Sequence, residues 1–357
     1  MIDTPAKPSP EVALFRLAAA YQGSRTLHAG TRLRLPDLLA GGPRSAEALA
    51  IETGTHAPTL RRLLRALATF EVVTETPDGN FALGPLGERL VDGPGSARGL
   101  VLWWGHEDSR RTWDALEDCV RTGETGARHV FGAEDWMARY ERDPALLADY
   151  AAGMAASATL VAQAAAKAYD FRDVLHVVDV GGGHGQMVSS VLTNHPHLSA
   201  TLFDRPEVVA GATALLTRAG VAARCHLVGG DMFAAVPEGG DVLILSRVVH
   251  DWDDAEAIAL LRRCRAAMAK HSRLLLIERL LEERPAPSPE AQGHALSDLN
   301  MLVRTGGQER TLADYGMLLR AAGLGIQRVV PTGAPWCIVE AAMRPVSDDA
   351  LVEERHL

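Results

Sequence analysis

The chain has 357 residues, enough for two domains, with 47% apolar residues and a formal net charge of −9. That balance excludes a broadly basic nucleic-acid binder, whose affinity rests on cationic side chains meeting phosphates. No run of eighteen apolar residues is present, so no membrane span is expected, and the polar, proline-bearing start lacks the apolar stretch of a secretory signal. Cys119, Cys225, Cys264 and Cys337 are scattered without a C-x-x-C pair. They are expected to be reduced thiols, in or near the core of a cytoplasmic protein.

Residues 11–100 read as helices with one hairpin. Ser45 is placed to cap a helix over Ala46–Thr53, and Pro58 suits the first turn of the next helix. On that helix Leu60, Leu63, Leu64 and Leu67 share a face. Val72–Thr76 and Phe81–Leu83 read as strands joined by the turn Pro77-Asp78-Gly79-Asn80. Helix, helix, hairpin is a winged-helix pattern. Residues 1–100 hold 11 Lys/Arg against 10 Asp/Glu. Despite Arg61, Arg62 and Arg65, dimerisation through an apolar face is therefore the better reading than DNA binding. Residues 101–170 look helical and carry Trp103, Trp104, Trp113 and Trp136. These rings serve either as core packing or as the wall of a site for a flat ligand.

From Leu175 the pattern changes. Short apolar runs alternate with helical stretches: Leu175–Val180, Ala200–Phe203, Cys225–Val228, Val242–Leu245 and Leu274–Ile277. Buried strands separated by helices predict a parallel, doubly wound α/β sheet, which Ile326–Val330 and Trp336–Ala341 close as a hairpin. The first strand runs into Gly181-Gly182-Gly183-His184-Gly185, a turn that lets backbone amides approach a ligand. A dinucleotide fingerprint would need glycine at 186, where Gln186 stands. The tighter order Asp179, Gly181, Gly183, Gly185 suits a nucleoside with an amino-acid tail. Asp204 ends the second strand, placed for ribose hydroxyls or for helix capping. Asp231 follows the third, placed for an adenine amino group, with Met232 or Phe233 placed to pack on the ring. After the fourth strand, Asp253 and Glu256 form a D-x-x-E capping box, and Ile258, Leu261, Cys264 and Met268 share a helix face. Capping does not explain His250, which stands at a strand end as a general base would.

Five segments in order, VVDVGGGHG, FDRPEVV, GDMF, VVHDW and DLNMLVRTGGQERT, resemble the plant-type (caffeate- and hydroxyindole-like) small-molecule O-methyltransferases and their bacterial natural-product branch. The resemblance covers nearly the whole chain. It implies a Rossmann-like class I methyltransferase sheet behind an N-terminal, mostly helical winged-helix dimerisation domain, a homodimer, a small aromatic acceptor and S-adenosyl-L-methionine as cofactor. It implies boundaries at 1–105 (dimerisation), 106–170 (helical linker lining the acceptor pocket), 171–345 (catalytic) and 346–357 (tail). By the same resemblance Gly181, Gly183, Asp204, Asp231 and Met232 hold ribose and adenine, while Ser157, Ser246 and Arg247 meet the methionine end. His250 matches the catalytic base, flanked by Glu278 and Glu309. Trp104, Tyr150, Met154, Asn300 and Met301 match the acceptor wall; Tyr150 departs from the usual phenylalanine.

Other readings remain at this level. One is a C- or N-methyltransferase of the same family, or a cofactor-binding member with other chemistry, with a metal held by His250, Asp251 and His294. Another is a winged-helix ligand-sensing regulator, and a third a nicotinamide oxidoreductase. No metal is expected in the principal reading.

Overall fold

The computed structural model describes residues 8–93, 95–132 and 136–344; the expected tail at 346–357 and the side chain of Trp136 lie outside the described residues. The chain forms two compact units. One is built from the described residues up to Arg110 together with Trp136–Ser157, the other from Arg111–Gly132 and Ala158–Arg344. The stretch 106–170 is thus shared between the units. Its long helix, Pro144–Ala168, gives Leu146 to a core cluster of the first unit and Val161, Ala162, Ala165 and Ala166 to the second. By length and composition this alanine-rich helix is apolar enough to cross a bilayer. The sequence count passes over it because Asp149, Gln163 and other polar residues interrupt the run.

In the first unit, Ser45 caps Ala46–Thr53 by accepting the Ala48 amide, and Gly54 ends that helix in the left-handed conformation. The helix Ala57–Ala68 buries Leu60, Leu64 and Leu67 against Leu35, Leu39, Leu49 and Phe81, with Leu63 half-buried. A hairpin follows, β1 (Val73–Glu75) and β2 (Phe81–Leu83). Arg61 pairs with Glu47 at 3.2 Å, and Arg65 with Glu75 at 3.5 Å. Two of the three arginines that raised the DNA-reading alternative therefore face acids of their own unit.

The second unit holds a seven-stranded sheet. Its strands in chain order are β3 (His176–Val180), β4 (Ser199–Asp204), β5 (Cys225–Gly229), β6 (Val242–Ser246) and β7 (Arg273–Glu278); after the two short strands β8 (Leu280–Leu281) and β9 (Arg310–Thr311) come β10 (Leu324–Pro331) and β11 (Cys337–Met343). The spatial order is β10-β11-β7-β6-β3-β4-β5, parallel except for β11, which runs against both neighbours. The apolar runs are continuous because both faces are covered. Val177, Ile244, Leu275 and Ile277 enter one core, while Val178, Val180, Leu243, Leu245, Leu274 and Leu276 enter the other. Truncating one of these leucines to alanine removes about 2–5 kcal/mol. Parallel strands bring the C-terminal ends of β3, β4, β5, β6 and β7 to one edge, where ligands bind in open α/β sheets.

Candidate active site

The β3 end is a cradle. Gly181, Gly183 and Gly185 have φ of +68°, +60° and +86°, a region that L side chains rarely adopt. A Cβ at Gly183 would meet nothing within 4 Å, so the loop leaves open space there. Asp204, at the end of β4, accepts the Gly183 amide at 2.8 Å and the Arg205 amide at 2.7 Å. Its carboxylate is thus fixed beside the glycine turn. After β5, Asp231 accepts the Phe233 amide, and the next residue brings the Met232 sulfur beside Gly181, together with Val248. Phe233 stacks edge-on against Trp252 at 4.7 Å. Beneath the loop, Asp179 is fully buried, and both its oxygens lack a hydrogen-bond partner. Burial, then the neighbouring Asp204 charge, pushes its carboxyl up to about 7, against weak help from the Val188 amide. A buried acid beneath an open, glycine-rich turn, with a ribose-type acid and a thioether beside it, fits S-adenosylmethionine, a cation with an adenosine head and an amino-acid tail.

The β6 and β7 ends handle protons. Ser246 ends β6, and Arg247 then adopts φ +55°, an uncommon conformation for a residue with a side chain. The reversal turns the amides of Val248 and Val249 onto Glu278, whose Oε1 accepts both at 3.1 and 3.0 Å. His250 follows in a single 3₁₀ turn, Val249–Asp251, and its side chain is only 12% exposed. Its Nδ1 lies 3.4 Å from Glu278 Oε2 and 3.4 Å from Glu309 Oε2, while Nε2 lies 3.8 Å from Asp251. Glu309 in turn accepts the Ser297 hydroxyl at 2.8 Å.

Burial by itself lowers the His250 pKa. The Glu278 charge, the Glu309 hydrogen bond and Asp251 outweigh it and push the pKa up to about 9. Burial, reinforced by Glu309 and Asp251, raises Glu278 to about 7 against the opposing pull of His250. Burial works to raise Glu309 too, but the hydrogen bond and charge of His250, with Ser297 and Arg279, hold it below the usual range. In the neutral ring, two carboxylates on Nδ1 place the proton there and leave Nε2 as the accepting nitrogen. The arrangement can take one proton from an acidic neighbour and stabilise the imidazolium that results.

The structure thus brings His250, Glu278 and Glu309 together as the sequence reading expected. It does not support the metal alternative through His294. Among the described residues, the group whose ligand atoms lie within 4.8 Å of one another is His250, Glu278 and Glu309, without His294 or Asp251. The D-x-x-E cap is present in its Asp253 half, which accepts the Glu256 amide. A reciprocal box forms instead at Thr311 and Asp314, a T-x-x-D that the sequence reading did not mark.

For the expected acceptor wall, Asn300 is buried, and its carbonyl oxygen accepts from Trp113 and Arg304, both at 3.2 Å. Met301 lies half-buried on the same helix, Pro289–Arg304. In the first unit Tyr150 and Met154 pack against Trp103, Tyr140 and Leu146. Trp103, rather than Trp104, carries that aromatic cluster: its ring lies 5.1 Å from Tyr150, whereas Trp104 is half-exposed at its edge. Ser157 lies in the first unit, half-buried on the helix Pro144–Ala168.

Sequence reasoning missed Ser297, Gly307 and Arg310. The GGQER segment holds the signal for two of them, a glycine at a close approach and a cation beside the acid. A Cβ at Gly307 would collide with the His250 carbonyl. Ser297 had no signal at all.

Known proteins resemble this chain over most of its length. The O-methyltransferase domain family matches residues 113–325, and the O-methyltransferase dimerisation domain matches residues 15–93. The phenazine O-methyltransferase PhzM of Lysobacter antibioticus is 39% identical over 93% of this chain and 96% of its own. The mitomycin biosynthesis 6-O-methyltransferase of Streptomyces lavendulae is 40% identical over 89% of this chain and 90% of its own. Among solved structures, CalO1, a methyltransferase of calicheamicin biosynthesis in its S-adenosylhomocysteine-bound form, superposes with a TM-score of 0.83. It is 33% identical and is matched over 95% of this chain and all of that one.

Proposed function

This chain belongs to the O-methyltransferase family and is an S-adenosylmethionine-dependent methyltransferase, and we propose that it methylates a hydroxyl of a small aromatic natural-product intermediate, with His250 as general base. The observation that carries the reading is His250 Nδ1 held between Glu278 and Glu309, 3.4 Å from each. The acceptor class is supported by the relatives named for phenazine and mitomycin O-methylation.

S-adenosylmethionine, when bound, supplies an electrophilic methyl on a sulfonium. Everything else falls to the chain. Gly181, Gly183, Asp204, Asp231 and Met232 would hold the ribose and adenine, with Ser246 and Arg247 toward the methionine end. Within the second unit, Asn300 and Met301 would contact the acceptor. A phenol titrates near 10 and free imidazole near 6.5, so His250 need not ionise the hydroxyl beforehand. Nε2 takes the proton as the oxygen attacks, and Nδ1–H stays on the glutamates, which stabilise the cation. Correct orientation of the oxygen supplies much of the remaining acceleration.

The domain reading follows the same line. Residues 1–105 serve dimerisation, 106–170 connect and line the pocket, and 171–345 bind the cofactor and catalyse. A homodimer is supported by the helix Pro10–Ala18, none of whose residues is buried, with Leu14, Phe15 and Leu17 each at least 64% exposed. A cytoplasmic location fits four free cysteines.

The test is incubation with cofactor and a panel of hydroxylated phenazines, quinones and simple phenols, read by mass spectrometry. The proposal expects an added methyl on an acceptor oxygen. Methylation confined to nitrogen or carbon would overturn the hydroxyl reading, and light scattering showing only monomer would overturn the dimer.

A further inference from the structure

We propose that Arg310 is a positioning residue for the reaction: from the segment that carries Glu309 it holds the backbone on both sides of His250, and so keeps the imidazole against its two glutamates. The inference rests on His250 being the base.

Arg310 is 2% exposed, although it carries a permanent charge. Its Nη1 donates to the Val249 carbonyl at 3.1 Å and its Nη2 to the Trp252 carbonyl at 2.8 Å. The planar fork spans the 3₁₀ turn, with His250 between the two carbonyls. The same guanidinium pairs with Asp254 at 2.8 Å. Two residues earlier, the Gln308 amide donates to the His250 carbonyl at 2.8 Å. Three carbonyls of the turn, at 249, 250 and 252, therefore accept from one short segment, and Glu309 lies inside that segment. Gly307 lets the segment approach so closely, because a side chain there would strike the His250 carbonyl.

The register is set a second time. β8 and β9 pair in parallel, Leu280 opposite Arg310. Glu278 precedes Leu280 by two residues and Glu309 precedes Arg310 by one, so the pairing aligns the acid-bearing segments. A buried guanidinium is costly unless its donors are satisfied. Here the partners are the carbonyls of the catalytic turn, so turn and arginine stabilise each other. Lysine cannot replace the fork, because one nitrogen does not bridge two carbonyls in a plane.

The charged and titratable groups around this centre are Glu278, Glu309 and Asp251 on His250, Arg247 beside Asp251, Arg279 and Asp298 beside Glu309, and Tyr315 beside Arg310. Loosening the turn separates His250 from its carboxylates, so its proton should be held less tightly.

The experiment is a pH titration of histidine ring carbons by NMR on the full-length protein, with the His250 signal assigned by its loss in His250→Gln. Cofactor affinity and thermal melting are measured alongside, and the titration itself needs no acceptor. In Arg310→Lys the His250 midpoint should fall by about one pH unit or more toward 6.5, with S-adenosylhomocysteine affinity within about threefold of wild type. Gly307→Ala, which pushes on the turn without changing charge, should lower the midpoint in the same direction. Asp254→Asn keeps both carbonyl bonds and should move it by less than half as much. A folded Arg310→Lys or Gly307→Ala protein with an unchanged midpoint overturns the proposal. An equal fall in Asp254→Asn also overturns it, because the effect would then be one of charge alone. If His250→Ala still methylates fully while Arg310→Lys lowers the midpoint, the general-base reading fails and the clamp stands.

Discussion

The two halves of the site are built on opposite principles. The β3–β5 end uses backbone and residues at successive strand ends: a glycine turn, an acid 21 residues from the amide that it accepts, and a thioether beside it. Asp231 there is exposed and Asp204 half-exposed. The β6–β7 end is sealed. His250, Glu278, Glu309 and Arg310 come from three segments up to 60 residues apart, and His250 lies against both acids while Arg310 holds its turn. The first half is open for binding, the second closed for proton transfer. Low exposure strengthens every charge interaction in the second, which is why its groups are displaced from their ordinary pKa values, as is the buried Asp179 beneath the first.

The comparison is broken most sharply at His250. His250→Ala should lower methyl transfer by about 10²–10⁴-fold while leaving cofactor affinity nearly intact; calorimetry and rate measurement on one preparation check both. Asp204→Ala should do the reverse. It removes charge-assisted hydrogen bonds worth about 1.5–3 kcal/mol, or roughly 10–150-fold in cofactor affinity. Because Asp204 also holds the Gly183 and Arg205 amides, the loss should come with faster hydrogen exchange in the glycine turn. A variant that lost activity but bound cofactor normally would place Asp204 in the wrong half.

How far each half was legible follows from its construction. Strand ends, the glycine turn, Asp204, Asp231 and the hairpin could be read because local pattern dictates them. Cys225–Gly229 and Phe81–Leu83 begin where the alternation and turn signals say. His250 was legible from its place at a strand end, and Glu278 and Glu309 by resemblance, but their support was not. Ser297 on Glu309 and Arg310 on the histidine turn are contacts across 12 and 61 residues, respectively. No periodicity encodes them. The metal alternative is unsupported for a similar reason: nearness to Asn300 in sequence does not bring His294 into the group that His250 forms with Glu278 and Glu309 among the described residues. The left-handed Arg247 was also invisible, since nothing local requires it.

Smaller effects sharpen the contrast. Glu309→Gln should lower the His250 titration midpoint, because a carboxylate that favours imidazolium has become a neutral amide; NMR titration reads it. Asp179 provides the weakest and most specific test. Its folded pKa, near 7, is raised above the ordinary value of 3.8. In the free protein the stability contributed by Asp179 is therefore full below about pH 4 and falls away as pH rises to about 7. Asp179→Asn should flatten melting temperature against pH over that window. An unchanged slope would mean that the acid is not the source.

The central claim is that one neutral imidazole, held by two glutamates, accepts the acceptor's proton. The direct measurement is the rate of methyl transfer against pH, on an acceptor whose hydroxyl titrates near 10, for the wild type and Glu309→Gln. Carboxylates on Nδ1 raise the His250 pKa, so the neutral form appears only as pH rises. The account predicts a wild-type rate that climbs through a midpoint above 6.5, and a midpoint displaced to lower pH in Glu309→Gln. A rate independent of pH between about 6 and 9 in both proteins would contradict it, and would leave orientation alone as the source of catalysis.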